Sequence, residues 1–225
     1  MTDLDQYLAA PHRADLIRQV RQAIDATGVE YIYYQYISIT GRIMGKGVPA
    51  DHWESVAGRG IQTWIGGLTN VTADRSGNLI GFGPNTHELL ALPDPETFCQ
   101  LPWDKRLGRV FCTVFHMRED KANPGGFMTA DGRGNLRRLH AAFQAKHGLH
   151  MRHGCEPEMM WLHKGADGGH AHGPSKPYAY HVDQFEALAP VFLKTVAYGR
   201  AMGSEDQATL PSPNPRPRVR RSWPS

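Results

Sequence analysis

YIYYQYISITGRIMGKGV, residues 31–48, contains a strong strand pattern. Its first part, 31–39, is dominated by β-branched and aromatic residues, which favour the pleated surface of a sheet. Thr40 and Gly41 are typical of a turn, and the following RIMGKGV is a suitable partner strand. The stretch therefore predicts a β-hairpin.

Helix and strand patterns continue on both sides of this hairpin. Before it, apolar residues at helical spacing predict a helix at 13–26 that ends at Gly28. After it, Pro49 begins a short helix through Val56, and a looser stretch rich in Gly, Asn and Thr follows. Two further strands are predicted at 87–94 and 109–115.

The second half of the chain begins with the best candidate for a domain boundary, at 116–134, where apolar residues are few and glycines are frequent. A helix is predicted near 135–147, with one apolar face: Leu136, Leu139, Ala142 and Phe143. A Gly/His/Pro loop follows at 163–177. The last helix is predicted at 183–202, with Asp183 as its N-cap and a buried side formed by Phe185, Leu188, Phe192, Leu193 and Val196.

The composition changes after Gly203. Residues 204–225 contain five prolines and four arginines and show no periodicity, so they cannot bury enough apolar surface to offset the entropy of ordering. We predict that this tail is disordered. Its arginines account for part of the net charge of +3, and we interpret them as a solvated terminus rather than a nucleic-acid site.

Other sequence features predict a cytoplasmic protein with no membrane segment. The three cysteines, Cys99, Cys112 and Cys155, are odd in number and lack CxxC spacing, which fits a reducing compartment. No secretory signal is evident at the N-terminus, and no run of about 18 apolar residues could span a bilayer.

GCEPEMMWL, residues 154–162, places two carboxylates directly before an apolar run. On a strand, Glu156 and Glu158 would share a face about 7 Å apart. One interpretation is an edge strand whose carboxylates face water. The other is a divalent metal site, because Mg²⁺ and Mn²⁺ prefer carboxylate oxygens and would offset the repulsion. Spacing alone does not decide between them.

Four motifs in order resemble the glutamine synthetase family over about residues 12–203. GCEPEMMWL resembles the family's Gly-x-Glu-Pro-Glu strand, which opens the catalytic domain. GRIMGKGVPADHWE and LLALPDPETFCQLPWDKRLGRVFCTVF resemble successive N-terminal segments. DGRGNLRRL resembles a family helix start, with Arg133 and Arg138 at its basic positions.

The resemblance implies an α+β fold in three parts. The first would be an N-terminal β-grasp domain at 12–115. The second, 116–203, would be the first part of a glutamine synthetase catalytic domain, followed by the tail at 204–225.

The resemblance also implies an activity: ATP-dependent joining of ammonia or an amine to the γ-carboxyl of glutamate through γ-glutamyl phosphate. Glu156 and Glu158 would then ligate two cations, Mg²⁺ or Mn²⁺. By position, Glu158 would hold the metal near glutamate and Glu156 the metal on the ATP phosphates. The family forms rings in which one subunit's β-grasp domain completes its neighbour's active site, so the loop at 61–70 would face a neighbouring subunit.

Two departures from the family pattern alter these expectations. Many members carry an Asp-Gly-Ser-Ser stretch whose aspartate helps to bind ammonium, but GIQTWIGGLTN, residues 60–70, has no acidic residue. A larger or neutral amine is therefore the better expectation. The family's chains are also about twice as long, and the later part supplies the remaining metal ligands, the ATP pocket and the substrate arginines. We expect this chain alone to be an inactive N-terminal portion from a truncated or frameshifted reading frame.

A second hypothesis is non-catalytic: a fragment that associates with full-length glutamine synthetase-like subunits. Other candidate sites have weaker support. The histidines of the glycine-rich segment show no regular acidic or thiol partners for zinc, and Lys164 and Lys176 lie in no phosphate-loop pattern. Cys155 is expected to point toward the core as a small buried side chain. The histidines of this segment are His163, His170 and His172, whereas His181 precedes the last helix and is expected to be structural.

Overall fold

The computed structural model describes residues 1–69, 72–73, 75–80, 88–152, 162–166, 168–172 and 182–203. Its helices are α1 (Asp3–Leu8), α2 (Arg13–Thr27), α3 (Trp53–Arg59), α4 (Ile65–Thr69), α5 (Gly132–His147) and α6 (Val182–Ala201). Its strands are β1 (Tyr31–Ile37), β2 (Ile43–Pro49), β3 (Ile61–Trp64), β4 (Thr72–Ala73), β5 (Leu79–Ile80), β6 (Glu88–Pro93), β7 (Cys99–Gln100), β8 (Leu107–His116), β9 (Leu162–Lys164) and β10 (His170–His172).

The predicted hairpin is confirmed. β1 and β2 pair antiparallel, with a register that runs from Tyr31 opposite Pro49 to Ile37 opposite Ile43. Gly41 adopts a positive φ of 78° in the connecting turn. Gly45 is also required, because a Cβ there would lie 2.1 Å from the carbonyl oxygen of Tyr34.

The hairpin forms one edge of a mixed sheet of six strands. The strand order is β2-β1-β8-β6-β3, and the short β7 pairs with β8. β1 runs parallel to β8, whereas β8, β6 and β3 pair antiparallel. The α+β prediction is therefore confirmed at the level of fold class. The β-grasp assignment stays a prediction.

The main core lies on one face of this sheet, under α2 and α3. Trp53 is completely buried there, stacks on Tyr34 with ring centroids 6.4 Å apart, and contacts Phe98 at 6.3 Å. Its indole Nε1 donates a 2.9 Å hydrogen bond to the carbonyl oxygen of Ile17, which ties α3 to α2. This arrangement satisfies the polar atom of a large buried aromatic side chain.

A smaller core lies on the opposite face, where α1 packs. Leu4 of α1 contacts Leu92 and Phe115, and all three are buried. The apolar run of β6 serves both cores because its side chains alternate between the two faces, and Leu89 and Ala91 belong to the main core. The sequence patterns did not predict α1.

The proposed boundary segment packs against the sheet. The backbone N–H of Met128 donates to the carbonyl oxygen of Val114 at 2.9 Å. The N–H of Leu4 donates to the carbonyl oxygen of Gly125, also at 2.9 Å. Met128 is buried in the main core. These contacts do not test the proposed domain limits, which stay a prediction.

Several local predictions need correction. The stretch after Gly60 is ordered as β3 and α4 rather than a loose segment, because Ile61, Ile65 and Leu68 enter the core. The loop at 163–177 contains a hairpin, in which β9 and β10 pair antiparallel. α6 begins at Val182, so Asp183 lies within the helix and is not its N-cap.

The apolar faces predicted for the two long helices are largely exposed. In α5, Leu136 and Leu139 of the predicted apolar face are 51% and 61% exposed. In α6, Leu193 is 70% exposed and Val196 is 43% exposed. The amphipathic pattern was correct as a helix signal, but the described residues do not cover these side chains. Among the described residues, no helix is both long and apolar enough to cross a membrane.

Candidate functional site

The predicted metal ligands Glu156 and Glu158 lie outside the described residues, as do Cys155, Lys176 and His181. The structure describes the elements on either side of the two glutamates. α5 ends at His147 and residues 149–152 follow it without strand pairing, whereas β9 begins at Leu162. The metal-binding role of the two carboxylates therefore stays a prediction.

The two predicted basic positions have different environments. Arg133 forms an ion pair with Asp94 at the end of β6. Arg138 lies over the ring of Phe127, 4.1 Å from its centroid, and hydrogen-bonds to the side chain of Asn135. Both therefore fix α5 to the sheet and the segment before it.

A buried polar junction surrounds Asp94, whose side chain is only 3% exposed. Its carboxylate accepts hydrogen bonds from Arg133, from Arg137 and from the hydroxyl of Tyr7. The hydroxyl of Thr113, on β8, lies 3.3 Å from one oxygen of this carboxylate. We call these five side chains the Asp94 junction. It joins α1, the end of β6, the interior of β8 and the first turns of α5.

Burial and charge together shift two pKa values in the junction. Burial by itself would raise the pKa of Asp94, but the guanidinium groups of Arg133 and Arg137 outweigh it and hold that pKa below its ordinary value. Burial and the nearby Asp94 carboxylate raise the pKa of Tyr7. Asp94 is thus a stable anion that neutralises arginine charge, whereas a general base would need a pKa close to the working pH.

Asp131 forms a second buried connection at the start of α5. It is fully buried and accepts 3.0 Å hydrogen bonds from the backbone N–H groups of Gly134 and Val114. The first is an N-cap of the helix and the second joins the helix to β8. The start of α5 is therefore fixed by Asp131 and by the Asp94 junction.

The segment at 61–70 is expected to face a neighbouring subunit, and its described part, 61–69, is anchored to the hairpin. The hydroxyls of Tyr36 and Thr63 lie 2.5 Å apart, and the N–H of Ile39 donates to the carbonyl oxygen of Leu68 at 2.9 Å. Trp64 is 37% exposed. The segment thus presents aromatic surface, and its sequence still provides no carboxylate.

A shallow cavity of about 240 Å³ lies on the β1–β2 hairpin, lined by Tyr33, Gln35 and residues 43–47. Among the described residues that line it, only Lys46 is charged. Within the part of the chain that the structure describes, no group of three or more His, Cys, Asp or Glu side chains could hold a metal ion.

Comparisons with known proteins bear on this arrangement. No protein-family profile matches the chain. Human lengsin, a glutamine synthetase-like protein, is 23% identical over 118 residues, which make up 51% of this chain and 23% of lengsin. A complex of GmaS with ADP matches with a TM-score of 0.58 and 20% identity over 82% of this chain and 39% of GmaS. Ligand-free GmaS matches with a TM-score of 0.57 and 19% identity, over 81% of this chain and 39% of GmaS.

The chain is related to the glutamine synthetase family. GmaS is a γ-glutamylmethylamide synthetase of that family and shares the fold of this chain. The sequence match to lengsin and this shared fold together confirm the resemblance predicted from the four motifs. The chain spans less than half the length of these relatives.

Within this glutamine synthetase-like fold, the sequence patterns did not predict the residues that organise the start of α5. Asp94 lies within the motif at 89–115, and Asp131 and Arg137 lie within DGRGNLRRL. A signal existed for Asp131, since an aspartate before a helical pattern is a typical N-cap. For Asp94 the signal was a carboxylate directly after an apolar strand.

Proposed function

We propose that this chain belongs to a ligase of the glutamine synthetase type, which uses ATP to join an amine to the γ-carboxyl of glutamate through γ-glutamyl phosphate. The observation that carries the proposal is the fold similarity to GmaS over 82% of the chain, one of whose structures is a complex with ADP. The order of the four motifs supports it independently. The sheet would form the β-grasp domain.

In this proposal Glu156 and Glu158 are ligands of two divalent cations. Their carboxylate oxygens suit Mg²⁺ or Mn²⁺, which would neutralise charge developing on the transferred phosphoryl group. Glu158 would hold the cation near glutamate and Glu156 the cation near ATP. Two carboxylates are few for a cation that takes six or so oxygen ligands, so we infer that the chain alone does not reach full activity.

The proposed amine is larger or less charged than ammonium. The segment at 60–70 has no carboxylate with which to attract a small cation. The full name of GmaS, γ-glutamylmethylamide synthetase, supports methylamine as the first substrate to test.

The test measures ADP release that depends on both glutamate and amine, with Mg²⁺ or Mn²⁺ present. Purified chain should be compared with E156Q and E158Q, which preserve size but remove the charge that a cation needs. Glu119→Gln is a matched control because Glu119 is exposed and is not one of the proposed metal ligands. Metal-dependent activity that survives E156Q and E158Q would contradict the assignment of both ligands.

A second candidate function is non-catalytic: association with a full-length glutamine synthetase-like subunit, in a ring-shaped assembly. The exposed apolar side chains of α5 and α6 favour this candidate, since contiguous apolar surface often marks an interaction site. Co-expression with a longer relative should give a mixed oligomer, measured by native mass spectrometry. Leu139→Lys should reduce mixed assembly if the apolar face of α5 forms the contact. A chain that is active alone and never mixes would exclude this candidate.

A further inference from the structure

Two histidines meet at the end of α5. His140 and Gln144 are four residues apart, so they lie one above the other on one face of the helix. Gly148 then ends the helix in the left-handed conformation, with φ 67°, and its N–H donates to the carbonyl oxygen of Gln144 at 2.8 Å. This reversal brings His150 back over the same face.

The side chains form a compact group. The ring centroids of His140 and His150 are 5.6 Å apart, and the ring planes are inclined by 37°. The Nε2 atoms of Gln144 and His150 lie 3.0 Å apart. The group is open to solvent, since His150 and Gln144 are exposed and His140 is half-buried.

We propose that His140 and His150, assisted by Gln144, bind a divalent transition-metal ion of the zinc, nickel or copper class. With metal–nitrogen bonds of about 2.1 Å and bond angles of about 90–120°, two coordinating imidazoles place their ring centroids about 4.5–5.5 Å apart. The observed 5.6 Å is close to this range, so the two rings lie near enough to share one ion. Rotation of the Gln144 amide by 180° would present its Oε1 as an oxygen ligand.

The donor set separates this site from the one proposed at Glu156 and Glu158. Imidazole nitrogens suit zinc, nickel and copper, whereas carboxylates suit magnesium and manganese. The histidine site needs only neighbouring residues of one helix and the turn after it. It therefore does not depend on the proposed ligase function.

The test is isothermal titration calorimetry, in which the whole chain is titrated with Zn²⁺ or Ni²⁺ in a buffer that does not bind metals. His140→Ala and His150→Ala should each weaken the tightest binding more than about tenfold, since loss of a ligand costs at least as much as loss of an outer-shell partner. The double variant H170A/H172A is the matched control, because it removes another histidine pair, on β10. It should leave the affinity unchanged.

A second measurement keeps the test independent of folding defects. Zn²⁺ should raise the melting temperature of the wild type and of H170A/H172A, because an ion that binds only the native state stabilises it. It should raise that of folded H140A or H150A by clearly less, and the helix content of both variants is checked by circular dichroism. Unchanged affinity in both single variants, or loss of binding in H170A/H172A alone, would overturn the proposal.

Discussion

Apolar side chains of the first helices are buried against the sheet, whereas several of those on α5 and α6 are exposed. Trp53, on α3, is completely buried between aromatic neighbours, whereas Leu139, on α5, is 61% exposed. Both lie in amphipathic helices. The difference shows that helical spacing identifies a face, whereas burial requires another element to cover that face.

The largest expected effect in this comparison is at Trp53. Replacing a large buried aromatic residue by alanine should lower the free energy of unfolding by about 3–5 kcal/mol, because contacts are lost and a cavity remains. Urea denaturation followed by circular dichroism measures this. Trp103→Ala is the control, since Trp103 is 54% exposed and should cost much less. Equal losses in the two variants would remove the distinction between the core and the surface.

Asp94→Asn should come next. It leaves Arg133 and Arg137 partly buried without their shared anion, and breaking a buried ion pair costs about 3–5 kcal/mol. Asp104→Asn is the control, because Asp104 pairs with Arg106 at the surface and such pairs contribute at most about 1 kcal/mol. Urea denaturation at pH 7 measures the loss in free energy of unfolding for D94N and for D104N.

The same junction predicts a pH dependence. Because the folded-state pKa of Asp94 lies below its ordinary value, its contribution is fully present above the unfolded pKa of about 3.9 and is lost as pH falls through the folded pKa. The wild type should therefore lose more stability than D94N between pH 5 and pH 2. Parallel acid titrations of the two proteins would contradict the assigned sign.

Asp131→Ala should have a smaller effect, about 1–2 kcal/mol, through loss of the N-cap of α5 and of the bond to Val114. Asp131→Asn is the matched control, because asparagine retains a side-chain oxygen that can cap the helix. Denaturation should give a smaller loss for D131N than for D131A. An equal loss would assign the effect to charge rather than to the cap.

The smallest effect is expected at the exposed face of α5. Leu139→Ala should change the free energy of unfolding by less than about 0.5 kcal/mol, because its side chain loses few contacts. The measurement is the same denaturation experiment. A loss of several kcal/mol in the purified protein would mean that a second copy of the chain, or another of its segments, covers this face.

The predictable part of the fold lay in local patterns. Residues 31–49 gave the hairpin because β-branched and aromatic residues with a Thr-Gly turn favour it locally. The helix at 13–26 ended at Gly28, as expected from a residue that adopts positive φ at low cost. By contrast, β3 and α4 were missed, because Gly-rich GIQTWIGGLTN has weak local preference and its apolar residues are ordered by the core.

The site was predictable to a smaller extent. The relationship to glutamine synthetases came from the order of four motifs, and the carboxylate pair was visible as two glutamates two residues apart. The Asp94 junction was not visible, because its members come from α1, β6, β8 and α5, separated by up to 130 residues between Tyr7 and Arg137. No spacing rule predicts which distant arginine will share a buried carboxylate.

The sequence by itself determined the hairpin, the main helices, the α+β class and the relationship to glutamine synthetases, because each depends on local propensity or on the order of short motifs. Only the tertiary structure decided the parallel pairing of β1 with β8, the arginines that neutralise Asp94, and the exposure of the apolar faces of α5 and α6. These features depend on which distant elements meet, and that is a property of the packed sheet rather than of any one segment.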